Sequence, residues 1–206
     1  MSSRALGHAL AFALALPLTA AAQTVSTAAP TDSTAVRILP NELQIAGAVS
    51  PAPEAMRAGA TVLGYSQDRK LMRIRAGTND LICLADDPVR PGFHAACYHR
   101  SLEPFMARGR ALRARGLTAD EADTVRLKEI RTRKLSMPTR PTALYQLSAP
   151  ADSMDMTTGT ARGARALHVM YIPYATAKST GLSVQPIKGP WLMNAGTPWA
   201  HIMYTP

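Results

Sequence analysis

Two cysteines, Cys83 and Cys97, do most to limit what this 206-residue chain can become. They are its only cysteines, and each sits in a short, largely apolar run of β-type residues. The segment between the runs, 86–92, is rich in Asp, Pro and Gly, the composition of a turn. If 80–85 and 93–98 form a hairpin, the two-residue period puts Leu81, Cys83 and Ala85 on one face. Phe93, Ala95 and Cys97 then share one face of the partner, and a cross-strand disulfide requires the two sets to coincide. The wide spacing excludes a C-x-x-C redox pair, a c-type haem site and a zinc knuckle. A structural disulfide between Cys83 and Cys97 is the expectation, and it demands an oxidising compartment.

The start of the chain points to the same compartment. Arg4 precedes an Ala/Leu-rich run, Pro17 breaks it, and Ala20-Ala21-Ala22 supplies small residues before Gln23. This is the layout of a secretory signal peptide over 1–22, with cleavage after Ala22. The run is too short and too often interrupted to span a bilayer comfortably, so no transmembrane segment is expected in the mature chain. The protein is expected to be exported, to the periplasm or beyond. Cleavage would remove only Arg4 from a formal net charge of +9. That basic balance suits an anionic envelope component as partner. Nucleic acid is excluded as a partner by the export signal and by the absence of aromatics interleaved with the basic residues.

Residues 23–40 are dominated by Ala, Thr, Ser and Pro without apolar periodicity and read as a flexible mature N-terminus. One domain over 41–206 is expected. Pro51 or Pro53, with Glu54, opens a short helix that Gly59 closes. Segments 60–65, 70–75, 80–85 and 93–98 are short β-type runs divided by turn-forming residues, which suggests an antiparallel meander. Ser101 is placed to cap a helix whose Leu102, Phe105, Met106, Gly109 and Leu112 form a core-facing stripe ended by Gly116. Thr118 and Glu121 form a capping box for a second helix. Its apolar residues, Val125, Leu127 and Ile130, are scattered, so this helix reads as largely solvated. Strand patterns resume at 143–147, 166–172 and 199–204. The fold class expected is α+β, an antiparallel sheet of short strands with an inserted helical pair.

Four groups of residues are candidates for a function. The helical pair carries ten Lys/Arg against four Asp/Glu between Arg108 and Arg140, and arginine forks suit phosphates and carboxylates. Two late strands each contain a His-x-Met: His168 with Met170, and His201 with Met203. Side by side, such strands present two imidazoles and two thioethers, a set that suits copper(I). The terminal His201-Ile202-Met203 resembles the copper motif of small periplasmic copper chaperones over three residues, without that family's preceding methionine spacing. The resemblance implies copper as the metal; otherwise no cofactor is expected. Trp191 and Trp199, each beside a proline, could line a ligand pocket with Tyr171 and Tyr204, or cap an apolar sheet face. His94, His99 and Glu103 surround a strand-to-helix junction where acid–base groups can gather.

No G-x-S-x-G elbow, H-E-x-x-H motif or phosphate-cradling glycine loop is present. The function expected is that of an exported protein of the bacterial envelope that binds a ligand or partner without catalysis. A periplasmic copper-type protein and an enzyme of unknown class are the alternatives.

Overall fold

The structure, a computed structural model, describes residues 38–206. The expected signal segment 1–22 and most of the stretch 23–40 lie outside the described residues. Leu39, at the end of that stretch, is buried, and its carbonyl accepts a hydrogen bond from Gln44 Nε2 at 2.8 Å.

Helix α1, Asn41–Val49, follows Pro40 and carries Glu42 in its first turn, where the positive end of the helix dipole favours an acid. Apolar spacing does not announce it, because its buried face is made of Gln44, Gly47 and Ala48. Gln44 imitates a strand: its side chain accepts from Tyr65 N at 2.7 Å and donates to Tyr65 O at 2.9 Å. The short α2, Glu54–Arg57, starts after Pro53 as the sequence suggests.

Strands β1 (Thr61–Tyr65), β2 (Leu71–Arg75), β3 (Leu81–Leu84) and β4 (Phe93–His99) form where the turn-bounded β-type runs predict them. Their order departs from a meander. β1 pairs antiparallel with β2 but parallel with β3, so β2 is left at the sheet edge. The reason is burial. Val62, Leu81 and Cys83 are buried and need neighbours on both sides, whereas Met72 and Arg73 of β2 are exposed. Residues 76–80 cross the start of β1 to make this order possible. Gly77 has no room for a β-carbon there, and Thr78 N and Asn79 N donate to Gly59 O at 2.8 and 3.0 Å.

The cysteine hairpin forms in the register that the disulfide demands. Cys83 stands opposite Cys97, the sulfurs are bonded, and Leu81, Ala85, Phe93 and Ala95 are buried on the same face. After β4 a 3-10 turn, Arg100–Leu102, leads into α3, Glu103–Ala114. The cap is His99 rather than Ser101: the ring accepts from Ser101 N, because the 3-10 turn begins two residues earlier than an α-helix capped at Ser101. Leu102, Phe105, Gly109 and Leu112 are buried, as their spacing predicts. Thr118 and Glu121 form the expected capping box on α4, Ala119–Arg131.

Strand β5 (Thr142–Ala149) joins β4 to β8 (Arg165–Tyr171). Between them a 3-10 turn (Ala151–Ser153) and a ribbon of β6 (Met154–Asp155) and β7 (Thr160–Ala161) fold back toward α1. A β-carbon on Gly47 would collide with the Gly159 carbonyl, so the helix meets the ribbon backbone to backbone. The short α5 (Ala177–Thr180) precedes β9 (Trp191–Met193) and β10 (His201–Tyr204). The eight-stranded sheet runs β2-β1-β3-β4-β5-β8-β10-β9. All of its pairings are antiparallel except β1 with β3, and the α+β architecture is as expected.

Its two faces are covered differently. Ile82, Tyr98, Leu144, Val169 and Met203 lie in one row across the strands and pack under α3 and α4. Val62, Cys83, Cys97, Tyr145, His168 and Tyr204 form the row on the other face. Helix α1 covers the first three and leaves the rest toward solvent, Tyr204 being 43% exposed.

Candidate functional site

The uncovered part of the α1 face carries a cleft of about 600 Å³ over the ends of β3, β4 and β5. Leu81, Ala143 and Tyr145 form its floor, while Met56 of α2 and the loop through Met137 and Pro138 form its walls. His99, Ser101 and Arg140 supply polar groups at the rim. A volume of this size with an apolar lining and a few convergent polar groups is the usual form of a small-molecule site.

His99 is oriented by its own strand end. Its Nδ1 accepts from Ser101 N at 3.2 Å and lies 2.9 Å from Ser101 Oγ, which places the ring proton on Nε2, 3.9 Å from Asp80 Oδ2. Asp80 is itself held by Arg100 Nε at 2.9 Å. The order Ser101–His99–Asp80 is that of a helix cap braced by an ion pair, with Nδ1 shared between a hydroxyl and a backbone N–H. Beyond the cleft, Tyr145, His168 and Tyr204 stand in a row. The first two rings meet edge to face at 5.5 Å, and His168 is 6.4 Å from Tyr204.

The residues singled out in the sequence are not brought together as a copper set. In the β8–β10 pairing His201 stands opposite Tyr171, and Tyr204 stands opposite His168. The histidines are therefore three positions out of step, an odd number, so His201 and Met203 face the helices while His168 and Met170 face the other way. A shared His₂Met₂ site cannot form across the sheet. His201 is buried, its Nδ1 is 2.7 Å from Trp199 O, its ring lies 4.9 Å from Tyr171, and burial lowers its pKa. Among the described residues, no group of three or more His, Cys, Asp or Glu is arranged to hold a metal ion.

The four-aromatic pocket fails for the same reason. Trp191, Tyr171 and Trp199 belong to the helical side of the sheet, and Tyr204 projects from the opposite face. Trp199 caps the core, its ring 5.7 Å from Phe105 of α3. His94 and His99 sit near opposite ends of β4 and, five residues apart, on opposite faces. Glu103 is occupied, accepting from Tyr98 Oη and, at 2.7 Å, from Arg110 Nη2.

The helical pair is less free than its composition implies. Arg108 forks onto Glu129 with contacts of 2.6 to 3.1 Å, and Arg110 pairs with Glu103. Arg126, absent from the apolar stripe, is buried with its guanidinium 3.9 Å above the Phe105 ring and paired with Asp123. Apolar spacing alone does not reveal this cation–π seat, because the buried residue is a cation.

A second cavity, of about 220 Å³, lies under the 86–92 loop and is lined by Leu39, Tyr65, Asp86, Asp87, Arg90 and Met154, among others. Burial, reinforced by Asp87, raises the Asp86 pKa to about 6 although its Oδ1 accepts from His94 N at 2.8 Å. Burial and the neighbouring Asp87 push the Tyr65 phenol up to about 12.

No protein-family model, curated protein or solved structure matches the chain.

Proposed function

We propose that this is an exported, non-catalytic binding protein of the bacterial envelope, acting in the periplasm or beyond, and that its ligand occupies the 600 Å³ cleft on the open sheet face. The observation that carries the reading is the pairing of an apolar floor, Leu81, Ala143 and Tyr145, with Arg140 and His99 among the residues that line the cleft. Such a lining suits a small molecule with an apolar body and one acidic end. The apolar part removes the floor and the methionine walls from water, and the rim cation orients the acid. The disulfide is compatible with export. No described helix is long and apolar enough to cross a membrane. The net charge of +9 makes an anionic envelope component the partner proposed for the remaining surface.

The test uses the exported protein, whose intact mass should begin at Gln23. Calorimetric titration should show decanoate binding more tightly than decanol. Ala143→Phe, which fills the floor, should weaken decanoate at least tenfold. Arg140→Gln should bring decanoate and decanol to similar affinities. Binding that survives Ala143→Phe unchanged, or no binding of either compound, overturns the cleft as the site.

A further inference from the structure

Gly109 lies in the middle of α3 and is buried, and its missing side chain leaves space that two arginines use. Arg126 Nη1 and Arg113 Nη1 lie 2.7 and 3.4 Å from the point a β-carbon at 109 would occupy. The two guanidiniums therefore converge on one spot, one arriving from α4 and one from α3 itself. Arg126 is fastened there by the Phe105 ring, by Phe105 O at 3.3 Å and by Asp123. Its Nε is buried with no hydrogen-bond partner among the described residues. Arg113 has no carboxylate at ion-pair distance among the described residues, because Asp123 is taken by Arg126, Glu103 by Arg110 and Glu129 by Arg108.

Like charges held this close repel, and because Arg126 is buried and fixed while Arg113 is exposed, solvent screens the repulsion only in part. Partial burial first, then Arg126, Arg110 and Arg90, hold the Arg113 pKa below the ordinary arginine value, with Asp123 pulling the other way. Folding has set cations together where one of them lacks a counter-charge. An arrangement of this kind favours an anion with several acceptor oxygens, which the exposed Arg113 fork can meet with paired N–H donors while Arg126, its own donors committed or buried, adds a fixed positive charge beside it.

We propose that Arg113 and Arg126, converging at Gly109, form a phosphate-binding site on the helical side of the sheet, separate from the cleft. This rests on the anionic partner suggested by the net charge and narrows it to a chemical group and a place. Arg113 makes the direct contact, and Arg126, fixed by Phe105 and Asp123, supplies the immobile second cation. A phosphate there replaces the carboxylate that Arg113 lacks.

Two probes separate the sources of such a group: inorganic pyrophosphate, and vesicles of phosphatidylcholine with one quarter phosphatidylglycerol. Wild type, Arg113→Gln and Arg131→Gln are compared, the last removing another exposed cation, at the end of α4. Circular dichroism and the melting temperature establish that each variant is folded. At least a tenfold loss in Arg113→Gln, with less than a twofold loss in Arg131→Gln, is expected. Seen with pyrophosphate, that pattern assigns a free phosphate; seen with vesicles alone, it assigns a lipid head group. Equal losses in both variants overturn the site but leave the anionic partner standing, since charge alone then explains binding. No binding of either probe by the wild type overturns both.

Discussion

Replacing Asp86 with Asn should stabilise the protein at neutral pH and remove part of its pH dependence. Asp86 follows β3, and its Oδ1 accepts the His94 N–H at 2.8 Å. An asparagine keeps that acceptor while discarding the charge. Burial, then Asp87, raise the carboxyl pKa from 3.8 to about 6 in the folded state. A raised acid is bound to its proton more tightly when folded than when unfolded. Its contribution to stability is therefore fully present below pH 3.8 and is lost as the pH rises through about 6. At full strength this displacement corresponds to about 3 kcal/mol. The carboxyl keeps part of its contact with water, and solvent screening reduces the expected effect to about 1–2 kcal/mol. Urea denaturation of wild type and Asp86→Asn at pH 4 and pH 7.5 measures it. The variant should match the wild type at pH 4 and exceed it by about 1–2 kcal/mol at pH 7.5. A variant less stable than wild type at pH 7.5, with the two equal at pH 4, would refute the reasoning. It would mean that the His94 N–H and Arg90 hold the carboxylate ionised more strongly than burial opposes it.

The Cys83–Cys97 bond closes a short loop and lies wholly buried under α1, so a Cys83→Ala/Cys97→Ala protein should lose about 3 kcal/mol in urea denaturation. Thiol reagents should detect no free cysteine in the native wild type, and two reactive thiols there would disprove the pairing. Hydrogen exchange should be faster across α4, Ala119–Arg131, than across β8, Arg165–Tyr171, because α4 fully buries only Ala122 and Arg126 while β8 is paired on both sides. Slower exchange in α4 would show that the Arg126 and Arg108 contacts lock the helix harder than its small apolar face suggests.

What could be read from the amino acids was local. Two short β-type runs, 80–85 and 93–98, with a turn composition between them, predict a hairpin, and the disulfide expected between the chain's two cysteines sets its register, with Cys83 opposite Cys97. The Thr118–Glu121 capping box and the Leu102-to-Leu112 stripe follow from spacings within one or two helical turns, and both appear. Helix α1 buries glycine, alanine and a glutamine, which give no periodic apolar signal; in the sequence only Pro40 before it and Pro51 after it mark its ends.

Tertiary structure alone decided the rest. Nothing local tells β3 to pair with β1 instead of β2; the choice comes from which strands must be buried on both sides. The registers of β8 and β10 were equally out of reach. A slip of one residue exchanges the faces, and the offset that sends His168 and His201 to opposite sides is set by pairing between distant segments. Burial of Arg126 depends on Phe105, twenty-one residues earlier, which offers a ring face and a carbonyl that composition does not reveal. The candidate cleft is likewise a product of assembly: Leu81, His99, Arg140 and Tyr145 converge only because β3, β4 and β5 are neighbours and α1 stops short of covering them. Sequence determined the cysteine hairpin, the buried stripe of α3 and the cap of α4, where the physics is short-ranged; packing determined which side chains meet, where it is not.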